Sequence, residues 1–308
     1  EYFNAAIDRM DEKDDMSAIL LLKYALRKKP NAANAYNNMG ISLSNLGKEY
    51  YRHAAVSLRK AISFEPLLGE AYKNLGRVLD QMKQARYCQE ALDAFETAVK
   101  LLPYDADAQY MLANFMISLG QPTEALELYK EAMLLAPDNP NILSNAIFAM
   151  NYLPDCGQNV ILSESQRWDQ RHGWKGTRHD FSDMRRGSSK LRIGYVSGDF
   201  HKHPVGIFFQ AVAVNHDREF HEIYCYSNRG EIRIDEVRTV IRSNVEFWRD
   251  VKELSDDELY SLILSDKIDI LIDLSGYTAE NRLQVFSRRA APVQVSWLGY
   301  YNTTGIAA

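Results

Sequence analysis

Long apolar runs are missing from this 308-residue sequence. Its apolar runs, such as residues 19–22 and 211–214, are far shorter than the roughly 18–20 residues that a membrane-spanning helix needs. The first residues also lack the basic, apolar and small-residue pattern of a secretion signal. We therefore expect neither secretion nor a membrane partner.

Cysteine is scarce, and neither sign of charge is in large excess. Cys88, Cys156 and Cys225 form no CxxC pair, so the sequence predicts neither a zinc site nor a disulfide framework. The net charge of −5 is spread evenly, with −3 in residues 1–150 and −2 in residues 151–308. Neither half has the basic excess that binding to phosphate backbones requires, so we expect no nucleic-acid partner.

What the sequence does contain is an internal repeat in its first half. Four prolines lie 36, 37 and 34 residues apart, and the same three apolar positions precede each of them. Offsets of three and four residues place these positions on one face of a helix, which the proline then ends. The prolines are Pro30, Pro66, Pro103 and Pro137, and the apolar positions are Ala18, Leu22 and Ala25; Ala54, Leu58 and Ala61; Ala91, Phe95 and Ala98; and Ala125, Tyr129 and Ala132.

A second helix is predicted before each of these, with a small residue at Gly40, Gly76 or Ala113 where two helices would cross. The pattern resembles the tetratricopeptide repeat, a helix-turn-helix unit of about 34 residues. We assign residues 1–151 to an α-solenoid, a superhelix of such repeats, that ends with a helix over residues 141–151. The extra residues of the longer units are expected in turns. The first unit lacks the opening helix pattern, which we attribute to a trimmed start.

Asparagine recurs at one position of the predicted solenoid. Asn38, Asn74 and Asn145 share this position, and Met111 occupies it in the intervening unit. An asparagine amide both donates to and accepts from a peptide bond, so a row of them would hold an extended peptide regardless of its sequence. The alternative is that asparagine is simply tolerated on a helix surface.

Residues 152–190 are predicted to form a connector of helix and loop. A helix over residues 163–172 would begin at Ser163, with Gln166 three residues later in a capping box. The polar run 185–190 then marks a domain boundary.

From residue 191 onward, short β-favouring runs alternate with helical spacing. Such alternation predicts a parallel sheet with helices on both faces. Ligands of such sheets bind beyond the carboxyl ends of the strands, so the loops there are candidate sites. The predicted strands are residues 191–197, 220–226, 245–251, 268–274 and 292–298, and the helices are 203–215, 234–243, 255–266 and 280–289.

Three of these loops contain groups capable of chemistry. The first is not GxGxxG, so no dinucleotide cofactor is expected. It contains His201 and His203, and a histidine there is either a base, a donor to phosphate or only a helix cap. In the second loop, Asp273 is expected only to cap the next turn, but Gly276 indicates a close backbone approach. The third loop, residues 299–305, is rich in hydroxyls and suits a phosphate or sugar, or is a plain turn.

Three segments together resemble the O-linked N-acetylglucosamine transferase family: LRIGYVSGDFHKHPVG (191–206), IDILIDLSGYTAENRL (268–283) and APVQVSWLGYYNTTG (291–305). The resemblance implies an inverting, metal-independent glycosyltransferase of the GT-B type, located in the cytoplasm and also in the nucleus if the source is eukaryotic. It would transfer N-acetylglucosamine from UDP-GlcNAc to Ser or Thr hydroxyls of acceptor proteins in the repeat groove, without a cofactor. Residues 191–308 would then be an incomplete α/β Rossmann-like half, on the acceptor side.

The resemblance also assigns site residues. His203 matches the histidine of an Asp-Phe-x-x-His-Pro motif and is the candidate catalytic base, and Tyr301 stands where the family usually has proline. The asparagine row matches the peptide groove of the family. The residues implied to face the substrate or donor are Asp199, Pro204, Tyr277, Thr278, Thr303, Thr304 and Gly305.

Two alternatives share these motifs. A SPINDLY-like branch would use GDP-fucose as an O-fucosyltransferase, and a repeat scaffold with a vestigial catalytic domain would only bind peptide. The half that supplies most uridine and diphosphate contacts in this family has no counterpart in these 308 residues. We therefore expect this chain alone to be inactive. The donor, the acceptor proteins and the oligomeric state stay open.

Overall fold

The computed structural model describes residues 1–182, 190–230 and 235–308. Contacts divide the chain into two compact units, Glu1–Ile142 and Leu143–Ala308. The domain boundaries proposed from the sequence, after residues 151 and 190, stay predictions, and most of the polar run 185–190 lies outside the described residues. Within the described ranges, no helix has both the length and the apolar character that crossing a membrane requires.

The first unit is a succession of helix pairs. The most extensive helix contacts there are between α1 and α2, α3 and α4, α5 and α6, and α7 and α8, which is the pairing of tetratricopeptide repeats. A ninth helix crosses the division between the units. The helices are α1 (Tyr2–Asp11), α2 (Asp15–Lys28), α3 (Ala33–Asn45), α4 (Tyr51–Phe64), α5 (Gly69–Gln81), α6 (Cys88–Leu101), α7 (Ala106–Ser118), α8 (Pro122–Leu135) and α9 (Pro140–Met150).

The repeated positions pack as the sequence predicted. Leu58 and Phe95, the large apolar residues of two repeats, are buried. A Cβ on Gly40 would lie 2.5 Å from the Cγ of Leu58, and one on Gly76 would lie 2.8 Å from the Phe95 ring. The minimal side chain therefore lets the two helices of a pair approach until the large residue fills the space between them.

The extra residues of the longer repeats form short 3₁₀ turns. These turns, Lys48–Tyr50 and Ala85–Tyr87, directly precede α4 and α6. The prediction that the insertions fall in turns is confirmed, and the helix pairs themselves keep their lengths.

The prediction that the first repeat lacks its opening helix is wrong. Helix α1 packs on α2, and its Ala6 is fully buried in a cluster with Leu22 and Met39. Ala6 lies 24 residues before Pro30, as Ala113 lies 24 residues before Pro137, so the small crossing residue was present in the sequence.

The second unit contains a five-stranded, wholly parallel sheet in the order β3-β2-β1-β4-β5. Ile193 of the central strand pairs in register with Ile223 on one side and with Ile270 on the other. The elements are α10 (Gln158–His172), β1 (Leu191–Ser197), α11 (Pro204–Asn215), β2 (His221–Ser227), α12 (Glu236–Ser243), β3 (Phe247–Asp250), α13 (Asp256–Asp266), β4 (Ile270–Asp273), α14 (Leu283–Ser287) and β5 (Val293–Ser296).

Helices cover both faces of this sheet, as predicted. Alternate residues of β1 enter two different cores, because side chains of a strand point to opposite faces. Tyr195 belongs to the core that includes Phe209 of α11 and Ile241 of α12, and Val196 belongs to the core that includes Ile263 of α13 and Phe286 of α14.

Two predicted helices have different bounds. Helix α10 begins at Gln158, with Gly157 at the N-cap position, so the capping box predicted at Ser163 is wrong. The buried face of the helix consists of Ile161, Ser165 and Trp168, and it therefore starts before Ser163. Helix α14 is only five residues long. Glu280 and Arg289, at the predicted ends of that helix, have left-handed φ angles of 58° and 60°, which a right-handed helix excludes.

Candidate functional site

The order of the strands identifies one edge of the sheet as the candidate site. The chain proceeds from β1 outward to β2 and β3, then returns to the other side of β1 for β4 and β5. This change of direction is a topological switch point, and ligands of open parallel sheets bind outside the carboxyl ends of the strands there. The strands that meet at the switch point end at Ser197 and Asp273.

The loop after β1 is a tight turn that brings two histidines beside one carboxylate. The Asp199 backbone N–H donates to the Ser197 Oγ at 2.9 Å, which ties the loop to the end of the strand. Asp199 Oδ1 lies 3.5 Å from His201 Nε2, and Asp199 Oδ2 lies 3.6 Å from His203 Nδ1. His203 caps α11, and Pro204 occupies the first helical turn, where its missing N–H costs nothing.

His201 is held by an arginine. The Arg229 Nη1 donates to His201 Nε2 at 2.6 Å, and burial together with the Arg229 charge lowers the pKa of His201. Because a guanidinium only donates, the accepting His201 Nε2 carries no proton in this contact. Asp199 is therefore flanked by a neutral imidazole that contacts a fixed cation.

In the loop after β4, Asp273 organises a turn. Its Oδ1 accepts from the Ser275 N–H and its Oδ2 from the Gly276 N–H, both at 2.9 Å, and the Ser296 hydroxyl donates to Oδ2 at 2.7 Å. The pKa of this buried carboxyl is raised by burial, which outweighs the three donors. Gly276 has φ 55°, and a Cβ there would lie 2.2 Å from the Tyr300 Cβ, so only glycine fits.

Tyr277, which the resemblance implies to face the substrate or donor, packs between neighbouring loops and α10. Its side chain is buried, and its hydroxyl donates to the Thr304 carbonyl at 2.7 Å, with the Ser165 carbonyl at 3.3 Å. Burial raises the pKa of Tyr277. The hydroxyl therefore links the loops after β4 and β5 to α10, and the role of Tyr277 toward a donor stays a prediction. The half-buried neighbour, Thr278, donates its hydroxyl to the Ser275 carbonyl at 2.8 Å.

The loop after β5 packs against α10. A Cβ on Gly305, which has φ 65°, would lie 2.6 Å from the Ser165 backbone carbon. The Gly305 N–H donates to the Thr303 hydroxyl at 3.1 Å, and the Thr303 side chain is exposed. Thr304 contributes its carbonyl to Tyr277, and Tyr301, in place of the family proline, is exposed.

Contacts link the three loops in series. Gly198, after β1, abuts Glu280, after β4, where a Cβ would lie 2.6 Å from the Glu280 Cβ. Gly276 abuts Tyr300, as described above, which links the loops after β4 and β5. The structure thus brings the predicted loops to one edge of the sheet, and it shows no hydrogen bond between His203 and the Thr303 loop in the described residues.

Arg282 is a structural residue of this edge that the sequence analysis missed. It donates to the Asn228 side chain at 2.8 Å, to Asp256 at 2.8 Å and to the Leu254 carbonyl at 2.8 Å, and its side chain is 12% exposed. Asn228 in turn donates to the Glu280 carbonyl. Arg282 therefore fixes the loops after β2, β3 and β4 together, a role that no spacing in the sequence reveals.

The asparagines of the first unit form a hydrogen-bonded chain. The Asn74 Nδ2 donates to the Asn37 Oδ1 at 3.0 Å, and the Asn37 Nδ2 donates to the Asn38 Oδ1 at 3.3 Å. Asn74 is buried and Asn38 is half-buried. Asn145 is half-buried on α9, in the second unit. Asn37, which the sequence analysis did not select, is the direct partner of Asn74.

Comparisons with known proteins agree with this architecture. Residues 175–308 match glycosyl transferase family 41, and residues 88–145 match the tetratricopeptide repeat. A solved structure of a mutant of the Thermobaculum terrenum O-GlcNAc transferase superposes with a TM-score of 0.74 at 32% identity, over 89% of this chain and 52% of that one.

Curated relatives include two Arabidopsis thaliana proteins. One is named "Probable UDP-N-acetylglucosamine--peptide N-acetylglucosaminyltransferase SPINDLY" and is 32% identical over 177 residues, 55% of this chain and 19% of that protein. The other has the same enzyme name with the designation SEC, and it is 42% identical over 119 residues, 39% of this chain and 12% of that protein. The chain thus spans less than a fifth of either plant relative. With tetratricopeptide repeats followed by a family 41 glycosyl transferase segment, the chain is similar to O-GlcNAc transferases in both of its parts.

Proposed function

We propose that the protein to which this chain belongs transfers N-acetylglucosamine from UDP-GlcNAc to Ser or Thr hydroxyls of proteins, with inversion and without a metal ion or cofactor. The observation that carries the proposal is the position of Asp199 and His203, which lie in the first loop at the β1–β4 switch point of a family 41 segment. Relatives named for the same reaction support the donor and the acceptor class. We also propose that the protein works in the cytoplasm.

The chemistry of such a transfer sets two tasks. Displacement at the anomeric carbon requires that the acceptor hydroxyl lose its proton and that the leaving diphosphate be stabilised. The side chain of His203 is 41% exposed at this edge. We propose that it either removes the proton from the acceptor hydroxyl or stabilises the leaving diphosphate. The exposed Thr303 hydroxyl and the backbone of its loop are proposed to face the donor.

The first unit is proposed to hold the acceptor protein in extended form. Asn38 and Asn74 belong to one hydrogen-bonded chain, so their amides are oriented before any peptide binds. Preorganised amides lose less side-chain freedom on binding, which favours a sequence-tolerant peptide groove.

The test uses the protein made from the complete reading frame that contains these residues. It is incubated with UDP-GlcNAc and candidate acceptor proteins, and modified Ser or Thr residues are identified by mass spectrometry. We expect transfer, and we expect His203→Ala to lower kcat about 10²–10⁴-fold without weakening acceptor binding. His53→Ala, which alters an exposed histidine of α4, is the matched control and should leave kcat unchanged.

A parallel reaction with GDP-fucose separates the SPINDLY-like alternative. Fucose transfer without N-acetylglucosamine transfer would replace the proposed donor. A folded protein that binds acceptor peptides but transfers neither sugar would instead identify a repeat scaffold and refute the enzymatic proposal.

A further inference from the structure

The hydrogen bond at Nδ1 of His203 fixes where its proton resides. The backbone N of Val205, in the first turn of α11, lies 3.3 Å from His203 Nδ1 and donates to it. A backbone amide only donates, so Nδ1 presents its lone pair to Val205. A neutral imidazole has one N–H, and that proton must then be on Nε2.

Asp199, the other neighbour of His203 Nδ1, does not form a hydrogen bond with that nitrogen. Asp199 Oδ2 is 3.6 Å from His203 Nδ1, which is too long for a hydrogen bond. Moreover, the Asp199 backbone is tied to Ser197. An Asp–His pair that placed the proton on Nδ1 and freed Nε2 as a base would require the ring to leave Val205. The described contacts favour the opposite tautomer.

The adjacent His201 provides an internal contrast. Its Nε2 accepts from Arg229, so its neutral form carries the proton on Nδ1. Two neighbouring imidazoles, with ring centroids 5.6 Å apart, are thus held as opposite tautomers by two different donors.

We propose that neutral His203 carries its proton on Nε2 and donates it in a hydrogen bond to an anionic phosphate oxygen of the nucleotide-sugar donor, and that it is not the base for the acceptor hydroxyl. The proposal rests on the glycosyltransferase function above for its ligand, but its tautomer does not depend on that function. The positive end of the α11 dipole adds to the attraction for an anion. A donor placed there stabilises the charge that develops on the leaving diphosphate.

The tautomer is tested by nuclear magnetic resonance on the ¹⁵N-labelled 308-residue chain. Two-bond ¹H–¹⁵N correlations of the imidazoles, recorded above the titration range of histidine, distinguish protonated from unprotonated ring nitrogens. The His203 signals are assigned by their loss in His203→Gln, or in His203→Asn if the first variant does not fold. We expect the Nε2–H tautomer, and a predominant Nδ1–H tautomer would overturn the proposal whether or not the protein is an enzyme.

The role of the proton is tested by turnover of the complete protein with UDP-GlcNAc. The His203→Gln side chain places an amide N–H near the position of Nε2 but has no basic nitrogen. We expect it to retain at least tenfold more activity than His203→Ala. If both variants are equally inactive while the wild-type protein transfers sugar, the donor role is refuted and the base role is restored. If wild-type protein transfers no sugar, the proposed function fails and the tautomer measurement still decides the geometry.

Discussion

Removal of the Asp273 carboxylate tests whether the turn after β4 depends on that one side chain. In Asp273→Ala, the N–H groups of Ser275 and Gly276 lose their acceptor in a site where Asp273 itself is only 2% exposed. The Ser296 hydroxyl also loses its acceptor, but Ser296 is an exposed residue and water can replace the carboxylate.

The expected cost follows from these groups. A buried donor left without an acceptor costs about 1–3 kcal/mol, so two backbone N–H groups cost about 2–6 kcal/mol. Part of this is recovered, because burial of the carboxylate is itself unfavourable, as its raised pKa shows. We therefore expect the free energy of unfolding to fall by about 2–4 kcal/mol.

The assay uses the distribution of tryptophan. All four tryptophans, Trp168, Trp174, Trp248 and Trp297, lie in the second unit, so their fluorescence in urea reports on that unit alone. With an m-value of about 2 kcal/mol/M, the loss corresponds to a midpoint lower by about 1–2 M.

Ser296→Ala is the matched control, since it removes one exposed donor to the same carboxylate. It should cost no more than about 1 kcal/mol. If Asp273→Ala were no more destabilising than Ser296→Ala, the carboxylate would not hold the turn and the reasoning would fail.

Two further predictions concern packing and protonation. Gly76→Ala should destabilise the first unit by about 1–3 kcal/mol, because the new Cβ would overlap the buried Phe95 ring. Urea unfolding followed by far-ultraviolet circular dichroism measures this loss. An unchanged urea midpoint would contradict the close approach of α5 and α6 at Gly76. The pKa of His201 is lowered from 6.5 by burial and then by Arg229, so the folded state binds fewer protons than the unfolded state just below pH 6.5. The free energy of unfolding of the second unit should therefore fall as pH drops through 6.5. His201→Gln should make this dependence on pH less steep in unfolding monitored by tryptophan fluorescence. An unchanged dependence would show that His201 has the same pKa in the folded and unfolded states.

Periodicity made the helix pairs and the parallel sheet predictable. Buried faces recur every three or four residues in helices and every second residue in strands, and the repeat of Ala, large residue, Ala and Pro shows the first of these directly. The ends of the elements were less predictable. The start of α10 and the short α14 depend on Ile161 packing in the fold and on left-handed backbone at Glu280 and Arg289, which no local pattern in the sequence specifies.

Spacing and motifs along the chain were enough to predict the two architectures, the family resemblance and the loops that end the strands. The folded structure was needed to show what each side chain in those loops does. It buried Tyr277 against the Thr304 carbonyl, made Arg282 the link between three loops, paired Asn74 with Asn37, and set the Val205 amide against His203. The physical reason is that a hydrogen bond depends on distance and direction in space, and residues far apart in the sequence meet only after the sheet has formed.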